Sequence, residues 1–183
     1  MNHFKGRHFQ RDIFKALWRW HQPDHSKSWR IDETYIHVNG RWTYLYRAID
    51  SNGLTLDFEL RKHRDYVAAY HFLKRLLTTN GRPERLVTDQ YQATIEAVKH
   101  LIKQDYLSQS SHQCSKYRNN LIEQDHRFIK RHRIRSVSFH SIRIASATLS
   151  GVEIVHAIRK RTRWTLSLIG FSVVDELKAL IAA

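Results

Sequence analysis

Three acidic residues stand at positions where a purely structural core would place apolar side chains. Asp32 lies inside a run of strand-forming residues, Asp89 closes the short run RLVTD, and Glu123 follows Leu121 and Ile122 in a helical pattern. A buried carboxylate costs several kcal/mol unless it is paired with a cation or bound to a metal ion. The three residues are therefore candidates for one shared site.

The chemistry that such a site favours is phosphoryl transfer with divalent metal ions. Ligand sets made only of carboxylate oxygens suit Mg²⁺ or Mn²⁺, whereas Zn²⁺ favours nitrogen and sulfur. Two ions about 3.5–4 Å apart can activate an attacking hydroxyl and stabilise the leaving oxygen of an in-line displacement. The alternative is that Asp32, Asp89 and Glu123 each pair with a nearby Arg or Lys of a basic protein.

The helical pattern around Glu123 adds cations to the same helix face. Arg127 and Lys130 follow Glu123 by four and seven residues, and Asn119 precedes it by four. At about 3.6 residues per turn these side chains share one stripe. A phosphodiester beside a metal site needs such cations. The alternative is ordinary support of the helix by a Glu123–Arg127 pair, worth a few tenths of a kcal/mol.

The elements that must position Asp32 begin with three predicted strands. The runs WRIDETYIHV, RWTYLYRAID and LTLDFELRK are dense in β-branched and aromatic residues. Asn39-Gly40 separates the first two runs, and Asn52-Gly53 separates the second from the third. Such dipeptides accept the positive φ of tight hairpins, so we predict an antiparallel three-stranded meander.

The pattern then changes to alternating helix and strand. The segment DYVAAYHFLKRLLTTNG predicts a helix that ends at Asn80-Gly81. Its predicted core-facing residues are Val67, Tyr70, Leu73, Leu76 and Leu77. A short buried strand ending at Asp89 and a further helix follow, so that the element order is β-β-β-α-β-α.

Residues 107–116 are polar and aperiodic, which predicts an exposed loop. His112 and Cys114 lie in this loop, but nothing nearby completes the four ligands of a structural zinc site. After the loop we predict the helix that contains Glu123 and another over about Ile142 to Lys160. Trp29, near the start of the first strand, is interpreted as a cover for the edge of the core.

The composition excludes several classes of protein. The 183 residues include six glycines, two prolines and a single cysteine, which argues against low-complexity and disulfide-scaffold proteins. No apolar run approaches the ~18 residues of a membrane span, and no signal peptide is visible, so we expect a cytoplasmic protein without membrane insertion.

The charge points to a polyanionic partner. The formal charge is +14, and residues 103–163 hold thirteen Lys and Arg against four Asp and Glu. The phosphate backbone of nucleic acid is the commonest partner of such a surface. A membrane surface is the rival partner, and a soluble basic domain without a particular ligand is the remaining alternative.

Longer motifs of this sequence resemble those of a known protein family. The segments WRIDETYIHVNGRWTYLYRAID, LVTDQ and KYRNNLIEQDHRFIKR closely resemble the DDE transposases of the bacterial insertion-sequence IS-six family. The likeness runs from about Trp29 to the C-terminus. It implies an α/β fold of the ribonuclease-H-like type, in which a three-stranded antiparallel meander and further strands form a mixed sheet flanked by helices.

Carried over by matching motifs, the resemblance assigns the catalytic triad to Asp32 of IDETY, Asp89 of VTDQ and Glu123 of LIEQDHR. In such enzymes the triad binds two Mg²⁺ (or Mn²⁺) ions. Glu123 follows Asp89 by 34 positions, which is typical of the family.

The resemblance also implies the reaction and the partners. It implies hydrolysis at a transposon end to free a 3′-OH, followed by attack of that hydroxyl on target DNA. We therefore expect double-stranded DNA as partner, and a homo-oligomer that pairs two ends. Lys130 matches the family's basic position that contacts transposon-end DNA. The predicted DNA-contacting residues are Lys116, Asn119, Asn120, Arg127, Lys130 and Arg131.

The start of the chain departs from the family pattern. Family members place a helix-turn-helix segment before the catalytic strand, and we expect that segment to be absent here. Residues 1–28 are interpreted as a short remnant N-terminal segment, and residues 29–183 as the ribonuclease-H-like catalytic domain with C-terminal helices. We therefore expect a truncated transposase impaired in recognising its inverted repeats. The alternatives are a noncatalytic DNA-binding remnant of a decayed element and a ribonuclease-H-like nuclease. The run QYQATIEAV after Asp89 also departs from the Ala/Pro-containing turn usual in the family.

Overall fold

The computed structural model describes residues 26–115, 122, 139–153 and 156. Almost all of these residues belong to one compact unit that extends from His25 to Ala147. The predicted boundary between residues 28 and 29 stays a prediction, since residues 1–25 lie outside the described part. Within the described positions, no helix is both long enough and apolar enough to span a bilayer.

The unit begins with the predicted meander. Strands β1 (Ser28–Val38), β2 (Arg41–Asp50) and β3 (Thr55–Arg61) pair antiparallel in chain order. Asn39 and Gly40 both have positive φ, +48° and +72°, as a two-residue hairpin of this twist requires. The Asp50 carboxylate closes the second turn by accepting from the backbone N–H groups of Asn52 and Leu54. These hairpins set the register that the sequence predicts.

Two parallel strands extend the sheet beyond β1. Strand β4 (Arg85–Thr88) pairs with β1, and β5 (His112–Cys114) pairs with β4, which gives the order β3-β2-β1-β4-β5. The prediction of an exposed loop over residues 107–116 is therefore wrong for β5. A three-residue edge strand is too short to show a period. The hydrogen bond between His112 Nε2 and Thr88 Oγ1 joins residues 24 positions apart, so no local pattern predicts it.

Helices cover one face of this sheet. Helix α1 (Tyr66–Asn80) follows β3, and α2 (Gln92–Lys103) follows β4. A short 3-10 helix (Gln109–Ser111) leads into β5, and the described residues 142–153 are also helical. The predicted core face of α1 is wrong at one position, because Val67 is 56% exposed. Val67 lies in the first turn of α1, and the buried side of the helix begins at Ala68 and Ala69.

The core fills the space between α1, α2 and the central strands. From the sheet it takes Trp29, Ile31, Tyr46 and Ala48, and from the helices Phe72, Leu73, Leu76, Val98 and Leu101. Each of these side chains is at most 2% exposed. Trp29 is confirmed as a core residue, and the mixed sheet flanked by helices confirms the predicted α/β class.

The first turn of α1 depends on a side-chain cap. Asp65 has extended backbone, and its Oδ1 accepts from the Ala68 N–H at 2.8 Å. We expect Asp65→Ala to lower the free energy of unfolding by about 1 kcal/mol, because the capping bond is lost. Urea denaturation measures this change. Asp65→Asn, which keeps the acceptor, should stay close to the unchanged protein, and an equal loss in both variants would contradict the capping role.

Candidate metal centre

The sheet brings Asp32 and Asp89 to the same place. Strands β1 and β4 run parallel, and Arg30 lies opposite Val87. Asp32 and Asp89 each follow one member of this pair by two residues, so they lie side by side. Asp32 is inside β1, and Asp89 directly follows the last residue of β4. Asp32, Asp89 and Glu33 each place one carboxylate oxygen within 4.8 Å of the other two.

Glu33 is the member of this group that the sequence reasoning missed. It alternates along β1 with Trp29 and Ile31, so it belongs to the face of the sheet that the helices cover. Its side chain is only 3% exposed, and burial raises the pKa of its carboxyl to about 7, although the Arg64 guanidinium opposes this shift. The nearby charges of Asp89 and Asp32 act in the same direction as burial.

Arg64 connects Glu33 to Asp89. Its Nη2 lies 3.0 Å from Glu33 Oε2 and 2.8 Å from Asp89 Oδ2. The guanidinium carbon is 3.9 Å from the centre of the Tyr91 ring, and the Tyr91 hydroxyl donates to the Arg64 carbonyl oxygen at 2.7 Å. The cation is therefore held by two carboxylates and an aromatic face at once.

Asp89 is fixed through both oxygens. Oδ2 accepts from Arg64, and Oδ1 accepts from the backbone N–H of Tyr91 at 3.1 Å. The thiol of Cys114 donates to the Asp89 carbonyl oxygen at 3.1 Å, which ties β5 to the same point. Such contacts orient the Asp89 carboxylate before any ligand binds.

The ring of His112 and the thiol of Cys114, which lie near the carboxylates, are both hydrogen-bonded within the fold. Burial lowers the pKa of His112, which favours the neutral ring beside Thr88. Burial and the Asp89 charge raise the pKa of the Cys114 thiol, which favours its protonated form. Thr94 of α2 adds a further oxygen, since its hydroxyl donates to Glu33 Oε1 at 3.3 Å.

The donor set fits a hard divalent cation. Asp32, Glu33 and Asp89 supply only carboxylate oxygens, and these oxygens are close enough to share one ion. Oxygen ligands of this kind suit Mg²⁺ and Mn²⁺. Since three carboxylates so close together repel one another, a cation between them is favourable.

The remaining predicted site residues lie outside the described part of the chain. These are Glu123 and the six DNA-contacting residues Lys116, Asn119, Asn120, Arg127, Lys130 and Arg131. Their places in the site stay predictions. The adjacent Ile122 is described, and it is helical and fully buried.

The sequence held a signal for Glu33 but none for Arg64. Strict alternation along β1 places Glu33 on the same side as Trp29 and Ile31, where an acid is out of place. Arg64 precedes the helix cap as one of several cations in the run RKHRD, and nothing in that run distinguishes it.

Comparison with known proteins adds a family and a fold. A family model described as a DDE domain matches residues 26–162. The transposase for the insertion sequence-like element IS431mec of Staphylococcus aureus is 44% identical over 171 residues, which are 93% of this chain and 75% of that protein. The same figures hold for the transposase of IS257 in transposon Tn4003 of Staphylococcus aureus.

Among solved structures, the catalytic core domain of BIV integrase superposes with a TM-score of 0.51. The match covers 71% of this chain and 82% of the integrase core, at 16% identity. This likeness concerns the fold alone, and it confirms the predicted ribonuclease-H-like arrangement of the sheet and its helices.

Proposed function

Since this chain belongs to the DDE transposases of the bacterial insertion-sequence IS-six family, we propose that Asp32 and Asp89 are two of its catalytic carboxylates and Glu123 the third. The observation that carries this proposal is the approach of Asp32 and Asp89 carboxylate oxygens to within 4.8 Å across β1 and β4. Glu123 enters from the sequence motif LIEQDHR.

The proposed site uses two Mg²⁺ (or Mn²⁺) ions, held by Asp32, Asp89 and Glu123. When bound, such ions supply activation of the attacking oxygen and stabilisation of the leaving oxygen at phosphorus. The chain's own residues prepare the site: Arg64 and the Tyr91 N–H hold the Asp89 carboxylate in place. The side chain of Glu33, close to both aspartates, is a further oxygen donor.

The proposed reaction has two displacements at phosphorus. Hydrolysis at a transposon end frees a 3′-OH, and that hydroxyl then attacks a phosphodiester of target DNA. Because both steps are in-line displacements, one set of carboxylates serves both. We further propose that a homo-oligomer holds the two ends and that the enzyme acts on DNA in the cytoplasm.

Basic and amide residues on both sides of Glu123 in the sequence are the proposed contacts to the DNA backbone. Arg127 and Lys130 share the helical stripe of Glu123 in the sequence, and Lys116, Asn119, Asn120 and Arg131 lie in the same segment. Phosphate contacts of this kind position DNA without reading its bases. Their nearness in sequence to Glu123 would place a phosphodiester beside the carboxylates.

Cleavage and joining of labelled DNA test this proposal. The chain is incubated with a labelled duplex that carries the transposon end, with Mg²⁺, with Mn²⁺ or with EDTA, and with a precut end beside a target plasmid. We expect nicks that leave a 3′-OH and joined products with Mg²⁺ or Mn²⁺ only. Bound DNA without any metal-dependent product would favour the noncatalytic remnant. An RNA–DNA hybrid is incubated in parallel, and cleavage of that hybrid alone would favour the nuclease.

A further inference from the structure

An aromatic strip continues the helix-covered face of the sheet beyond Glu33. Alternation along β1 places Tyr35 and His37 on the same side as Glu33, and their register partners on β2 are Tyr44 and Trp42. Ring centres are 5.3 Å apart for Tyr35 and Tyr44, and 4.9 Å apart for His37 and Trp42. The strip thus consists of two cross-strand pairs in contact.

The outer part of this strip is open to solvent. Trp42 is 56% exposed and Tyr35 is 43% exposed. In contrast, Tyr46, which follows Tyr44 on the same face of β2, is 1% exposed. Exposed aromatic side chains grouped in this way mark an interaction surface more often than single ones do. Large planar rings beside a catalytic site are suited to stacking on nucleobases.

A groove of about 990 Å³ adjoins the strip. It is lined by residues of the β1–β2 turn, of the segment that leads into α1 and of positions 140–142. We call it the hairpin groove, and the residues that matter here are Arg41, Trp42, Tyr44, Lys62, Arg64 and His140. Among its described lining residues Asp65 alone is acidic, and that carboxylate already caps α1.

The groove reaches the acidic site through Arg64. This residue lines the groove and also bonds to Glu33 and Asp89. Arg41 and Lys62 are exposed at its margin. A polyanion that enters the groove would therefore meet cations first and reach the carboxylates next.

We propose that the hairpin groove binds unpaired nucleotides of a DNA strand next to the catalytic carboxylates. Trp42 stacks on a base, and Arg41 and Lys62 contact phosphates. Unpaired nucleotides are required because a base-paired and stacked duplex hides the base faces that an aromatic ring contacts. The proposal rests on the proposed function, since it takes the strand beside Asp89 to be the enzyme's substrate.

Binding of the full chain to two oligonucleotides in EDTA tests the groove apart from cleavage. One is a blunt duplex, and the other is the same duplex with an unpaired single-stranded extension. We expect Trp42→Ala to weaken binding to the extended duplex by about tenfold and to leave the blunt duplex nearly unaffected. Trp42→Phe, which keeps an aromatic face, should retain most of the affinity.

The proposed phosphate contacts predict a change in the salt dependence of binding. For a single-stranded extension, removing Arg41 and Lys62 together should reduce the slope of log affinity against log salt by roughly 1.4, about 0.7 for each phosphate contact. Lys99→Ala with Lys103→Ala is the charge-matched control, since both are exposed on α2 and outside the groove lining.

Three outcomes would contradict the binding of unpaired nucleotides in the hairpin groove. Unchanged binding by Trp42→Ala would overturn the proposal, and so would equal losses on both oligonucleotides. Loss of self-association in sedimentation, with DNA affinity unchanged, would instead identify the strip as a contact between copies of the chain. An unmodified chain that prefers the extension but never cleaves DNA would refute the proposed function and leave the groove standing.

Discussion

Asp89→Asn is expected to lower metal-dependent DNA cleavage by about a thousandfold or more while the chain stays folded. The change removes one negative charge from the proposed metal-binding carboxylates of Asp32, Glu33 and Asp89, and bound metal ions supply several kcal/mol to phosphoryl transfer. Each loss of about 1.4 kcal/mol slows a reaction tenfold. The fold should persist, because the amide oxygen still accepts from the Tyr91 N–H.

Single-turnover cleavage of an end-labelled duplex measures this loss, and circular dichroism with urea denaturation checks the fold. Asp105→Asn is the matched control, since Asp105 is an exposed aspartate whose partner is the surface Arg82. The control should cleave at the unchanged rate. Retention of more than a tenth of the activity in Asp89→Asn would contradict the proposed role of this carboxylate as a charged metal ligand.

Arg64→Ala is expected to lower the free energy of unfolding by about 2–3 kcal/mol. Removing one partner of a buried ion pair costs ~3–5 kcal/mol, because the other charge stays buried without compensation. Burial already raises the pKa of Glu33 to about 7, so this carboxyl takes up a proton when Arg64 is removed, and Arg64 itself is 22% exposed. We therefore expect a value below that range. The substitution also removes the bond to Asp89 Oδ2, so cleavage should fall as well.

Urea denaturation of single and double variants separates these effects. Adding Glu33→Gln to Arg64→Ala should restore most of the stability, because no buried charge is then left without a cation. Arg82→Ala, which breaks an exposed ion pair with Asp105, should change the stability little. A loss in Arg64→Ala that Glu33→Gln does not relieve would show that Arg64 acts by packing on Tyr91.

The meander and the two aspartates could be predicted because their signals are local. Asn39-Gly40 fixes the β1–β2 turn by its own backbone preference, and Asp89 is marked by the apolar run that precedes it. Parallel pairing of β1 with β4 then places Asp32 and Asp89 side by side. Strand order alone is enough for this part of the site.

Arg64 and β5 could not be predicted because their positions depend on tertiary contacts. The role of Arg64 depends on partners in two segments far from it along the chain, Glu33 in β1 and the pair Asp89 and Tyr91 after β4. Strand β5 is a three-residue polar edge whose side chains show no period. In both cases the interactions that fix the position join segments far apart in the sequence, so a local sequence pattern does not predict them.

Binding of Mn²⁺ followed by electron paramagnetic resonance tests the central claim most directly, because free Mn²⁺ is counted without any need for turnover. Titrations compare the unmodified chain with Asp32→Asn, Asp89→Asn and the control Asp105→Asn. Our account predicts saturable binding that either site substitution weakens by at least roughly tenfold, while the control binds normally. Equal Mn²⁺ affinity in all four proteins would contradict a metal centre at Asp32 and Asp89.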